Sequence, residues 1–300
     1  MAPKALRTPD DRFAGLPGFA FAPHYRDDLP GYEGLRLHYL DEGPAQAART
    51  FLCLHGQPTW GYLYRKMIPV FVAAGHRVVV PDLFGFGRSD KPQVEESYTF
   101  DFHRETLLAF IEALDLHKIT LVIQDWGGIL GLTLPMAIPE RIADLVIMNT
   151  ALATGTLPLP DSFFQWRDWC RKNPDIPVGK VMRKAYPALT EEEVAAYEAP
   201  YPDSRFKAGV RRFPELVPDG PDKPGAPVSR QALRWLKTQW SGRAFLAVGA
   251  TDPMLGPPVM GALSRGIRGC PPPHILEGVG HFVQEERGAE VARLALAALA

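Results

Sequence analysis

The chain has 300 residues, 46% of them hydrophobic, enough for one large core with an insertion. Lys and Arg number 33 against 34 Asp and Glu, so the formal charge of −1 offers no field for gathering nucleic acid or an anionic membrane. A small, weakly charged substrate fits better. Cys53, Cys170 and Cys270 form no CxxC pair and have no histidine at ligand spacing, which indicates neither a disulfide framework nor a zinc site. The opening MAPKALRTPDDRF has no apolar h-region, and no stretch reaches the roughly 18 apolar residues of a membrane span, so a cytoplasmic protein is expected.

Strand-like and helix-like segments alternate through the first half, which predicts βαβ units and a mainly parallel sheet. Strands are expected at Gly34 to Leu40, Thr50 to Leu54, His76 to Val80, Ile119 to Ile123 and Ala143 to Met148. Helices are expected at Gly61 to Ala74, Phe100 to Leu114 and Trp126 to Ala137. From Leu152 to Val228 the chain is rich in prolines and aromatics, with short helical patterns and no convincing buried strand. That segment predicts an inserted helical lid. The order then resumes with a helix from Ser229 to Trp240, a strand from Arg243 to Val248 and a helix near Pro258 to Arg265. A short strand at His274 to Leu276 and a helix from Ala289 to Leu299 close the chain.

Asp125, in Ile123-Gln-Asp-Trp-Gly-Gly128, sits where a buried strand hands over to a helix, the context in which a strained turn presents a nucleophile. An aspartate there is equally suited to capping the helix. The rest of the constellation favours the nucleophile, because a reactive carboxylate needs an oxyanion site, a base and an orienting acid. His55-Gly-Gln57-Pro58 follows the strand ending at Leu54, so the backbone N–H groups of Gln57 and Trp126 are the expected oxyanion donors, each worth about 3 kcal/mol. His281, in Gly278-Val-Gly-His-Phe282, is the candidate general base. Asp252, in Gly249-Ala-Thr-Asp-Pro253, is the acid that would orient it; the alternative, an Asp-Pro turn, does not explain the ordered set. Nucleophile, acid and histidine fall in the chain order of the nucleophile-elbow hydrolases. Gly85-Phe-Gly-Arg-Ser89 lacks the residues of a phosphate loop and reads as a structural turn. Glu191 to Glu193 after Thr190 reads as a capped, solvated first turn of a lid helix.

With LRTPDDRF, HGQPTW, PDLFGFGRSDKP, VIQDWGG, APYPDSRFKAGVRRFP, GATDPMLG and GHFVQEE together, the sequence resembles the haloalkane dehalogenases over nearly its whole length. The match is to the subfamily whose catalytic acid follows the seventh strand. The resemblance implies an α/β-hydrolase fold, a mostly parallel central sheet flanked by helices, with residues 1–151 and 229–300 as core and 152–228 as a helical cap. It implies attack by Asp125 on a halogen-bearing carbon, then hydrolysis of the ester by water that His281 activates, with no cofactor or metal. Neutral indole N–H groups suit a departing halide, and the resemblance implies Trp126 and, from the lid, Trp166 as halide ligands, with Trp169 the competitor for the second place. Phe163, Phe164, Tyr201 and Pro202 are implied as an apolar pocket wall, and the Gln57 amide as a group that helps orient water. The implied partners are a small apolar halogenated substrate, water and halide, in a monomer.

Two other readings stay open. Epoxide hydrolysis on the same fold also uses an Asp nucleophile but needs phenols to protonate the opening ring, for which Tyr186, Tyr197 and Tyr201 are candidates. A non-catalytic small-molecule binder is the other. A serine esterase is disfavoured because no GxSxG motif is present.

Overall fold

The structure is a computed structural model that describes residues 4–300; Met1 to Pro3, the start of the segment read above as lacking an h-region, lie outside them. Eight strands form one sheet: β1 (His24–Arg26), β2 (Leu37–Glu42), β3 (Thr50–Leu54), β4 (Arg77–Pro81), β5 (Ile119–Gln124), β6 (Ile142–Met148), β7 (Arg243–Gly249) and β8 (His274–Leu276). Their order is β8-β7-β6-β5-β3-β4-β2-β1. From β8 to β4 neighbours are parallel, and β2 and β1 add antiparallel strands at one edge. The central strands β3 and β5 are buried at every position, as expected where helices cover both faces of a parallel sheet.

The helices are α1 (Phe100–Ala113), α2 (Trp126–Gly131), α3 (Asp161–Lys172), α4 (Val178–Ala185), α5 (Glu191–Glu198), α6 (Ala208–Leu216), α7 (Ala226–Thr238), α8 (Pro257–Arg265) and α9 (Val283–Ala298), with shorter helices at Ile68–Ala73 and Leu134–Ala137. Between β6 and β7 the described backbone is helical and irregular, with α3 to α7 and no strand.

Prolines account for most departures from the expected elements. The helix expected from Gly61 to Ala74 is a 3-10 turn at Gly61–Tyr64 followed by Ile68–Ala73, with Pro69 in its first turn, where a missing N–H costs nothing. The helix expected from Trp126 to Ala137 breaks after Gly131, and its second piece starts with Pro135 in the first turn. Helix α7 begins at Ala226, three residues early, because Gly225 takes a φ of 86° and Pro227 sits in the first turn. Helix α9 begins at Val283 instead of Ala289; a non-helical Arg287 interrupts the periodicity before that point. Strand β1 and a two-residue ribbon pairing Ala5–Leu6 with Lys91–Pro92 were not anticipated, being too short to carry a period.

Buried ion pairing ties the lid to the sheet layer. Thr190 and Glu193 form the expected capping box on α5, but Glu193 is not simply solvated, since its carboxylate also meets Arg65 at 2.7 Å. Arg65 in turn pairs with the fully buried Glu285 of α9, which also receives Lys66 and the Tyr197 hydroxyl of α5. Truncating one member of such a cluster strands the others and costs about 3 to 5 kcal/mol.

Candidate active site

Five parallel strands end at one edge of the sheet, and each delivers a polar group there: Gln57 after β3, Asp125 after β5, Asn149 after β6, Asp252 after β7 and His281 after β8. The carboxyl ends of such strands are where open α/β sheets build their sites. Asp125 has φ 50° and ψ −125°, a positive φ outside the small left-handed helical region, which a non-glycine residue adopts only under constraint. It stands at the N-cap position of α2, yet its side chain makes no capping bond. Instead its Oδ1 accepts the Gln57 N–H at 2.8 Å. A side-chain cap is thus excluded: the backbone occupies the cap position and the carboxylate points elsewhere.

The turn depends on two glycines. A Cβ on Gly127 would lie 1.9 Å from the Leu54 carbonyl oxygen, and one on Gly56 would lie 2.1 Å from Asp125 Oδ1. Replacing Gly127 with Ala is expected to destabilise the protein by about 3 kcal/mol or more, because the collision is with backbone at the end of the central strand β3, which cannot give way. Urea denaturation checks this; a change under about 1 kcal/mol contradicts it.

His281 Nδ1 donates to Asp252 Oδ2 at 2.7 Å, and His281 Nε2 lies 3.7 Å from Asp125 Oδ2. The Asp252 side chain is sealed, whereas those of Asp125 and His281 keep 17% and 14% of their surface accessible, so the groups that must meet substrate and water can be reached. Both readings of Asp252 hold at once. Its Oδ1 accepts the N–H groups of Met254 and Leu255 at 2.9 and 3.1 Å, which is the turn, while Oδ2 serves the histidine. Sequence reasoning missed Asn149, whose amide donates to Asp252 Oδ2 at 2.9 Å and whose Oδ1 accepts the Gly249 N–H at 2.8 Å. An asparagine just past a buried strand was the available signal. It missed Thr150 as well, which donates to the Asp125 carbonyl at 2.7 Å.

Burial works against the charged form of both triad partners and is outweighed in each. The charge of Asp252 and the nearness of Asp125 raise His281 to about 10, and His281, the Met254 N–H and the Asn149 amide hold the Asp252 carboxyl well below the usual carboxylate range. The stability that follows has a definite sign. A histidine raised in the folded state contributes fully below its unfolded pKa of about 6.5, and its contribution is lost as pH rises through about 10. Wild-type unfolding free energy should therefore fall from pH 7 to 10 more steeply than that of His281→Phe; parallel curves count against the pairing.

Gln124, the last residue of β5, completes this side of the site. Its Nε2 lies 2.7 Å from His281 Nε2 and 3.3 Å from the His281 carbonyl oxygen, while its buried Oε1 has no partner. In this orientation the amide donates to a neutral imidazole, the form needed to accept a proton. An amide turned about would offer Oε1 to the imidazolium.

In the lid, Phe163, Trp166 and Cys170 lie on the inward face of α3 at spacings of three and four residues. Trp166 packs against the core and stacks on Trp169, their ring centroids 5.4 Å apart, while Trp169 is 36% exposed. Phe164 is equally exposed and lies under the Arg167 guanidinium, so it is not part of a closed pocket wall; the helical period puts it on the outer face. Pro202 is exposed too, because Tyr201 takes the interior position and the following turn leads outward. Tyr201 is buried with its hydroxyl unpartnered; burial raises its pKa, and the charged groups it meets are Glu198 and Asp82, not Asp125. Trp126 is 3% exposed and packs edge-on against Phe213 of α6, centroids 4.8 Å apart, a contact not singled out from the sequence. Trp60 spends its indole N–H on the Ala196 carbonyl, whereas those of Trp126 and Trp166 meet no acceptor among the described residues. The Gln57 amide, expected to orient water, donates to the Val210 carbonyl of α6 at 3.1 Å. Of the two expected oxyanion donors, the Gln57 N–H is engaged with Asp125 and the Trp126 N–H is not.

Among the described residues no group of three or more His, Cys, Asp or Glu side chains is arranged to hold a metal ion, and no helix is long and apolar enough to cross a membrane. The alpha/beta hydrolase fold family matches residues 49–288. A haloalkane dehalogenase of Psychrobacter cryohalolentis is 43% identical over 297 residues, covering 97% of this chain and 96% of that one. Haloalkane dehalogenase 1 of Mycobacterium bovis is 46% identical over 293 residues, covering 96% of each. The tetrameric structure of haloalkane dehalogenase DpaA from Paraglaciecola agarilytica superposes with a TM-score of 0.95 at 49% identity, covering 98% of both chains. By fold, by the order of its site residues along the sheet edge and by these likenesses, the chain belongs to the haloalkane dehalogenases of the α/β-hydrolase fold.

Proposed function

We propose that the protein hydrolyses haloalkanes to alcohol and halide through an ester on Asp125, aided by Trp126 and Trp166 as halide donors, with residues 152 to about 225 as the cap. The observation that carries this is the division of the Asp125 carboxylate. Oδ1 is held by the Gln57 N–H, and Oδ2 is left facing His281 across 3.7 Å. Oδ2 attacks the carbon in line; the carbon-halogen bond breaks and its electron pair leaves with the halide toward the indole N–H groups. Water then gives a proton to His281 Nε2 and its oxygen bonds to the Asp125 carboxyl carbon. Negative charge gathers on Oδ1, where the Gln57 N–H stabilises it by about 3 kcal/mol. The ester's alkyl-oxygen leaves, takes the proton from His281 and departs as alcohol.

Bromide release from 1-bromobutane or 1,2-dibromoethane tests the reading; no release from a panel of chloro-, bromo- and iodoalkanes overturns it. Trp126→Phe should slow release by about 10- to 100-fold by removing one N–H donor, and Trp166→Phe should do so more than Trp169→Phe. Initial rates on one bromoalkane separate the three variants. Epoxide opening is less well supported, since the Tyr197 hydroxyl is committed to Glu285. The monomer expected from the sequence finds no support in the tetrameric DpaA, and light scattering reads the assembly directly. A cytoplasmic site of action is part of the same reading, tested by fractionation.

A further inference from the structure

Helix α6 carries Pro214 in its interior. Proline has no N–H, so the carbonyl four residues earlier, that of Val210, loses its helical donor. A buried carbonyl without a partner is costly, and Val210 is fully buried. The missing donor arrives from 153 positions away, as Gln57 Nε2 at 3.1 Å. The backbone N–H of the same Gln57 holds Asp125 Oδ1 at 2.8 Å. Phe213, beside Pro214, packs on Trp126, the indole next to the nucleophile. One residue therefore grips the nucleophile with its backbone and the lid helix above that indole with its side chain.

We propose that Gln57 is a positioning residue that clasps α6 to the oxyanion loop through the carbonyl Pro214 leaves open, and so fixes the lid over the halide end of the site. This rests on the dehalogenase reading. The chemistry requires an amide of this length: a carboxylate would set oxygen against oxygen, and asparagine falls one methylene short. Because the clasp bridges two elements that both bear on Trp126, its loss loosens the halide's surroundings before it touches the triad.

The test is a double-mutant cycle on Gln57→Met and Pro214→Ala, which returns an N–H to the helix for Val210. Chloride and bromide affinity are read by quenching of tryptophan fluorescence, with KM and kcat for 1-bromobutane and thermal midpoints for all four proteins. Gln57→Met in the wild-type background should weaken halide binding and raise KM by about tenfold, the effect of one lost buried hydrogen bond. In the Pro214→Ala background the same change should weaken them less than about threefold, since the carbonyl is already satisfied. Equal losses in both backgrounds, or unaltered halide affinity in Gln57→Met, overturn the proposal. Failure of the dehalogenase reading is a separate result: no bromide from any haloalkane with wild-type protein, while the midpoints still report whether positions 57 and 214 are coupled.

Discussion

Replacing His281 with Phe is expected to stop the reaction after its first half, leaving one alkyl group bound to each protein molecule. The first half needs only Asp125 and a place for the halide, and His281 is 3.7 Å from the attacking oxygen without being required to move a proton. The second half needs a base, and among the described residues no other imidazole reaches Asp125 Oδ2. General-base catalysis contributes about 10² to 10⁴ in rate, so steady turnover should fall by at least that much while a burst of bromide equal to the enzyme concentration persists. Intact mass after brief mixing with 1-bromobutane should rise by one butyl group, and digestion should place it on the peptide containing Asp125. Unmodified protein, or continued multiple turnover, defeats the two-step scheme.

The electrostatics of the free site sharpen that expectation. With two carboxylates about it, His281 is raised to about 10, which favours imidazolium and would make it a poor base at neutral pH. Forming the ester removes the charge of Asp125, one of the groups that raise it. The ring is thus available as a neutral proton acceptor once an ester is there to be hydrolysed, and the Gln124 amide, 2.7 Å from Nε2, can donate to that neutral form.

The sheet and the triad were legible in the sequence because they follow from strong local patterns. Buried strands such as Ile119–Gln124 carry unbroken apolar runs, and the polar residues that interrupt the chain just beyond them fall at one edge once the strands lie parallel. Helix limits were less legible, since a proline that permits a first turn looks like one that breaks a helix. The lid was least so: Phe163 is buried while the adjacent Phe164, whose ring meets it, is 36% exposed, which only the period of α3 sorts out. The reach of Gln57 to Val210 could not be read at all, because it joins residues 153 positions apart and depends on a carbonyl made vacant by Pro214.

Asp125→Ala should lose at least about 10⁴-fold in halide release, the scale seen when a covalent nucleophile is removed and binding groups remain. Because Ala is no better suited than Asp to a φ of 50° and leaves the Gln57 N–H without its acceptor, stability should fall by about 1 to 3 kcal/mol while activity vanishes in protein that still folds. That contrast separates a nucleophile from a residue kept for folding alone. The labelling pattern separates it from a simple base. If Asp125 is alkylated and water attacks its carboxyl carbon, a single turnover in ¹⁸O-water puts the heavy oxygen into Asp125, and the first alcohol released carries the ordinary oxygen of the carboxylate. If Asp125 merely activated water to attack the haloalkane directly, the first alcohol would be labelled and the protein would not. Mass measurement of both products after one turnover distinguishes them, and labelled alcohol from the first turnover would remove Asp125 from the nucleophile's role.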